Sequence, residues 1–224
     1  MTEECIEAWR RILELVDRSP DTPIGDLCIK SPEPRASIVR LEQWLRASAN
    51  PATVFDHLCA QPGLASYLMM VLGASHQLAD VLIQNPELSD VILDPSTLGA
   101  RFSPVDVLHH GRRLLERATS PSHQLDRLRF LRQSWTLRIA VNDLARNWPA
   151  ESVWLALSDL ADVLIELARE CVWRQYASDQ GLEGECPVSI VGFGKLGGRE
   201  LNYSSDVDLV YILPDDAPAE TDRH

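Results

Sequence analysis

Apolar residues recur at helical spacing through most of the chain and give way to strand-like runs only near its end. Residues 3–17 place Ile6, Trp9, Ile12 and Leu13 on one side of an amphipathic helix. From Ser19 to Pro34 the composition turns to Pro, Asp, Gly and Ser, which predicts a loop. Short helices are predicted over 36–47, 51–60 and 62–72, bounded by Asn50-Pro51 and Pro62-Gly63. Two more are expected between Gly73 and Asp94, divided at Asn85-Pro86 because proline disfavours helical backbone in the residue before it. Pro95 and Pro104 punctuate the next loop, and a helix follows over about 104–118.

Two longer helices come next. In 122–146, Leu128, Leu131, Trp135 and Ile139 recur at helical intervals without proline or glycine. In 150–177, Val153, Leu157, Leu160, Leu164, Leu167 and Cys171 step by four, three, four, three and four. That rhythm fits a stripe packed against other helices; a partner helix would produce it too, although six positions are few for a coiled coil. At Cys186 the period changes. Val188–Gly192 and Asp206–Leu213 read as short strands around a glycine-rich turn. Two strands alone are marginal, so the sheet reads as unfinished. The pattern predicts a mainly α chain with a small C-terminal β portion (α+β), divided into a helical region, 1–180, and a β-containing segment, 181–224.

Charge narrows the function classes. The 224 residues carry 21 Lys or Arg against 33 Asp or Glu, a net −12, which argues against DNA and other general nucleic-acid binding. No run reaches the length of a membrane span, and the first 30 residues lack a signal-peptide pattern. The five cysteines are odd in number, scattered and without a CxxC, which reads as reduced thiols in a cytoplasmic protein. Within this acidic chain, 101–146 holds nine Arg against four Asp or Glu. The segment is either a solvated face with internal ion pairs or a contact surface for phosphate or an acidic partner.

The chemistry concentrates near the C-terminus. Gly192–Gly197 reads literally as GxGxxG, with Asp215 about where a dinucleotide site places its ribose ligand. Only nine residues, Gly197–Ser205, separate the turn from the next strand, too few for the helix of a parallel crossover. The second strand is the better guide. Asp206 and Asp208 stand at i and i+2, a spacing that puts both carboxylates on one face of a strand. Two acids in an otherwise apolar strand call for a neutralising partner, and a hard divalent cation with substrate phosphates fits. Gly194 and the Gly197-Gly198 pair let the backbone approach phosphate oxygens, and Lys195 adds a positive charge.

The run GFGKLGGRELNYSSDVDLVY resembles the signature of the glutamate–ammonia-ligase adenylyltransferase family, within the DNA-polymerase-β-like nucleotidyltransferase superfamily. The superfamily often has Ser after the turn glycine, where this family has Lys, as at Lys195. The segments GASHQLADVLIQNPEL (73–88) and LRFLRQSWTLRIAVNDLA (128–145) are similar to that family's helices ahead of its first catalytic site.

The resemblance implies a long protein with two nucleotidyltransferase halves acting on glutamine synthetase. One half removes AMP from a tyrosine by phosphorolysis, releasing ADP, and the other transfers AMP from ATP. Asn202-Tyr203-Ser204-Ser205 ahead of the first acid resembles the removing half. By this resemblance Asp206 and Asp208 are the catalytic Mg²⁺ ligands, and Gly194, Lys195, Gly197 and Gly198 form the phosphate-facing turn. Ser205 is a lesser candidate that caps or orients Asp206, while Arg199, Glu200 and Asn202 read as structural.

The superfamily's third carboxylate belongs to a later strand; Asp215, Asp216, Glu220 and Asp222 follow too closely to supply it. The expectation is an N-terminal fragment, inactive alone. The competing expectation is a helical module that docks glutamine synthetase or a PII regulatory protein without turnover.

Overall fold

Prolines open the helices of this chain more often than they break them. The computed structural model describes residues 3–94, 96 and 98–214. Helices α1 (Glu3–Val16), α2 (Pro23–Lys30), α3 (Pro34–Ala47), α4 (Pro51–Ala60), α5 (Pro62–Ala74) and α6 (His76–Gln84) come first. A 3₁₀ turn at Pro86–Leu88 leads to α7 (Ser89–Leu93), then α8 (Pro104–Glu116), α9 (Pro121–Leu144) and α10 (Ala150–Gln180). Proline stands in the first turn of α2, α3, α4, α5 and α8, where the N–H it lacks would have had no helical partner. Asn50, Ser75 and Ser103 cap α4, α6 and α8 by accepting from the backbone N–H three residues on.

The predicted loop over Ser19–Pro34 is corrected by α2. Pro23 starts that helix, and Ile24 and Cys28, four apart, are both buried. Gly25 lets α2 lie close to α1: a Cβ there would meet the Trp9 ring at 3.3 Å.

Contacts divide the chain into two units. The first comprises residues up to Arg101 with Thr136–Pro149. Its core gathers Ile12, Ile38, Leu41, Trp44, Phe55, Leu68, Met69 and Leu72, all essentially inaccessible. Inside it Glu42, only 7% exposed, accepts from the Arg11 guanidinium at 2.8 and 2.9 Å and from Arg46 at 3.0 Å. The Arg11 hydrogen bonds, more than those of Arg46, hold its carboxyl below the ordinary range against the desolvation that would raise it. Asn142, also buried, accepts from Gly99 N–H at 2.6 Å and donates to the Arg138 carbonyl at 2.9 Å.

The second unit comprises Phe102–Trp135 and the chain from Ala150 onward. Here α8 packs on α10, and the predicted stripe of α10 is buried at Val153, Leu157, Leu160, Leu167 and Cys171. Gly111 permits the approach: its Cβ would collide with Leu167 and stand 2.9 Å from Leu131. Two arginines of the basic segment form ion pairs within this unit, Arg112 with Glu170 and Arg129 with Asp126.

The unit ends in β1 (Ser189–Phe193), the short helix α11 (Gly194–Gly197) and β2 (Asp208–Ile212). The strands pair antiparallel, with Val191 opposite Val210, Gly192 opposite Leu209 and Phe193 opposite Asp208. That direction removes any parallel crossover, and with it the dinucleotide reading of the glycines. The predicted strands 188–192 and 206–213 are corrected to 189–193 and 208–212, because β1 bends into α11 after Phe193 and offers no partner to residues before Asp208. The architecture is mainly α with a small β portion, as the periodicity predicts. Among the described residues no single helix is long and apolar enough to cross a membrane.

Candidate functional site

The site grows from the end of β1. After Phe193 the chain enters a left-handed bend at Gly194, φ +56°, and makes the single turn of α11. Because Phe193 pairs with Asp208, the first residue of β2 comes beside that bend. A Cβ built on Gly194 would lie 2.8 Å from Asp208 Oδ2. The carboxylate thus covers the position where a side chain would be.

The other glycines have separate reasons. A Cβ on Gly192 would lie 2.9 Å from the Leu196 side chain, which is buried, and a Cβ on Gly197 would lie 2.7 Å from the Gly192 carbonyl oxygen. These two let α11 fold flat against β1. Gly198 is different. Its φ is −80°, and nothing comes closer to its Cβ position than 3.5 Å. Lys195, between them, is exposed.

The turn closes with a Schellman pattern: Glu200 N–H donates to the Lys195 carbonyl at 2.8 Å and Arg199 N–H to the Leu196 carbonyl at 3.1 Å. The left-handed residue of this pattern is usually glycine, but here it is Arg199, φ +60°. Its guanidinium forms ion pairs with Asp159 and Asp162 of α10. Desolvation lowers the Arg199 pKa; Asp162, followed by Asp159, more than offsets that and raises it. Two residues on, Leu201 is buried and its N–H donates to Ser158 Oγ of α10 at 3.4 Å.

Asn202 organises the approach to β2. Its Oδ1 accepts from Ser204 N–H at 3.1 Å and from the Ser205 hydroxyl at 2.9 Å, while Ser205 Oγ accepts from Asn202 N–H at 3.0 Å. The Ser205 hydroxyl is engaged in closing this turn. Asp206 is exposed and lies two residues ahead of the ladder that begins at Asp208. The geometry therefore brings Gly194 and Asp208 together, and puts Asp206 at the entry to the same strand.

Oxygen-only donors of this kind suit a hard cation whose remaining ligands come from water or phosphate. Among the described residues no group of three or more His, Cys, Asp or Glu could hold a metal. Asp215, Asp216, Glu220 and Asp222 lie outside the described residues. Sequence reasoning missed Ser158, Asp159 and Asp162 as supports of the turn. Nothing in the local pattern connects them to residues some forty positions later.

The family model described as glutamate-ammonia ligase adenylyltransferase matches residues 65–224. The chain is similar to the bifunctional glutamine synthetase adenylyltransferase/adenylyl-removing enzyme of Mesorhizobium japonicum, at 32% identity over 184 residues. The proteins of that name in Burkholderia mallei and Burkholderia pseudomallei are also 32% identical, over 179 residues. The first alignment takes in 82% of this chain and the other two 80%, against 19% of each relative. The chain spans about a fifth of the length of these relatives.

Proposed function

Because the chain belongs to the glutamate–ammonia ligase adenylyltransferase family, we propose that it carries part of a nucleotidyl-transfer site acting on glutamine synthetase. The segment 181–224 begins the nucleotidyltransferase core, and the direction is removal of AMP. Inorganic phosphate attacks the phosphorus of the AMP–tyrosine ester, and the bond from phosphorus to the tyrosyl oxygen breaks. ADP leaves with the new phosphate bond, and the tyrosyl oxygen takes a proton from solvent. A phosphate nucleophile needs no general base. Transfer of AMP from ATP is the activity of the same family's other half.

The observation that carries this reading is the Asp208 carboxylate lying against the Gly194 bend. An acid fit for a cation and a turn fit for phosphate share one place. Asp206 and Asp208 would hold Mg²⁺, which when bound offsets negative charge between the carboxylates and the phosphate oxygens. The remaining work falls to the chain's own groups. The turn of Gly194, Gly197 and Gly198, folded against β1 through Gly197, faces the reacting phosphates, Lys195 offers its ammonium to them, and Ser205 holds the turn that delivers Asp206 to the strand. Glutamine synthetase is the macromolecular partner, a PII protein a regulator, and the cytoplasm the compartment.

The test uses a chimera in which this chain replaces the matching fifth of the Mesorhizobium japonicum relative. With Mg²⁺, phosphate and adenylylated glutamine synthetase, it should release ADP, and Asp208→Asn should reduce the rate at least about a hundredfold. ADP release that survives the double change Asp206→Asn, Asp208→Asn would refute the site.

A further inference from the structure

The feature of this site that its chemistry leaves unexplained is an arginine where the backbone calls for glycine. Arg199 occupies the left-handed position that closes α11, at φ +60°, directly after Gly197 and Gly198. A residue with a Cβ is disfavoured there, so the side chain must contribute something that glycine cannot. Its guanidinium reaches Asp159 and Asp162, which stand three apart on one face of α10. The same stretch of α10 supplies Ser158 Oγ to the Leu201 N–H. A rigid helix of 31 residues therefore grips the far end of the turn, while the near end, Gly194, faces Asp208.

We propose that Arg199 is a positioning residue that ties the glycine turn to α10 through Asp159 and Asp162 and so sets where Gly194–Gly198 stands relative to Asp208. The proposal rests on the reading that this turn faces phosphate beside a metal-binding acid. The α11 turn has four residues and two glycines of its own, and it keeps one geometry only if something outside it holds the end. The two carboxylates prevent the guanidinium from rotating away, because its planar donors engage both at once.

Substitution by glycine separates the side chain from the backbone. Arg199→Gly relaxes the left-handed residue and preserves the Schellman closure, so a backbone role alone would leave the turn as it was or steadier. Loss of the tether should instead free it.

The experiment uses the 224-residue chain labelled with ¹⁵N. Amide exchange at Gly198 and Glu200, whose N–H groups close the turn, should accelerate about tenfold or more in Arg199→Gly and in the double variant Asp159→Asn, Asp162→Asn. Amides of α10 around Leu160 and Val163 should be unchanged, and Arg199→Lys should recover part of the protection. Mn²⁺ alone serves as the second probe. In the unaltered chain it should broaden the amides of Gly194–Gly198 and of Asp208 together; in Arg199→Gly broadening at Asp208 should persist while that of the turn falls several-fold. Exchange and broadening in Arg199→Gly equal to the unaltered chain would overturn the proposal. If Mn²⁺ broadens neither segment of the unaltered chain, the metal reading of the acids fails, and the exchange comparison still decides the tether.

Discussion

The carboxylate of Asp208 occupies the space that a methyl group on Gly194 would claim, with Oδ2 only 2.8 Å from that position. The bend and the acid are thus built for one another. Gly194→Ala would set the new Cβ against the mobile end of a side chain, which can rotate away. The substitution should cost only about 1–2 kcal/mol, from forcing alanine into the left-handed region. The rotated carboxylate should bind Mn²⁺ at least about tenfold more weakly, measured by titration of the 224-residue chain followed by electron paramagnetic resonance. Unchanged affinity would mean that the bend does not shape the acid's environment.

Gly197 and Gly198 are neighbours with opposite expectations. A Cβ on Gly197 meets a backbone carbonyl, Gly192 O, at 2.7 Å, and neither strand nor turn can yield cheaply. Gly197→Ala should therefore destabilise the second unit by about 2–3 kcal/mol. Gly198→Ala meets nothing closer than 3.5 Å at an ordinary φ and should stay within about 0.5 kcal/mol. Thermal unfolding of the two variants, followed by circular dichroism, checks the order.

Glu42 predicts an acid-sensitive helical unit. Its folded pKa lies below the ordinary 4.5, chiefly through the Arg11 hydrogen bonds. A group lowered on folding gives its full stabilisation above the unfolded pKa and loses it as pH falls through the folded one. Urea midpoints should hold steady above about pH 5 and drop on further acidification, and Glu42→Gln should flatten that drop. At pH 7 the same change should cost about 1–3 kcal/mol from the lost charged hydrogen bonds.

Cys28 should resist alkylation in the folded state. Burial pushes its thiol up to about 12, and its Sγ lies 3.4 Å from Met69 Sδ in the core of the first unit. Iodoacetamide at pH 8 should modify it only at the rate of unfolding, whereas Cys186, partly exposed, should react directly. Mass spectrometry of the alkylated peptides distinguishes the two.

The helices were legible because their evidence is local. Leu157, Leu160 and Leu167 repeat at the helical period within one segment, and their burial follows from packing that stripe against α8. The candidate site was proposed on equally local evidence: a turn rich in glycine and two acids one residue apart stand within fifteen positions, Gly194 to Asp208. The failure at α2 was also local in origin. Composition marks Pro, Gly and Asp as loop residues, yet Pro23 opened a helix, and Ile24 and Cys28 were carried inward by tertiary burial.

Residue types and their spacing thus sufficed for the α-rich architecture and for naming the candidate turn and acids, because both depend on neighbours along the chain. Which glycine receives the Asp208 carboxylate, and that Arg199 is held by Asp159 and Asp162, came only with the folded chain. These contacts join residues up to forty positions apart, and the distance between such groups is set by how helix and sheet pack rather than by any pattern either segment carries.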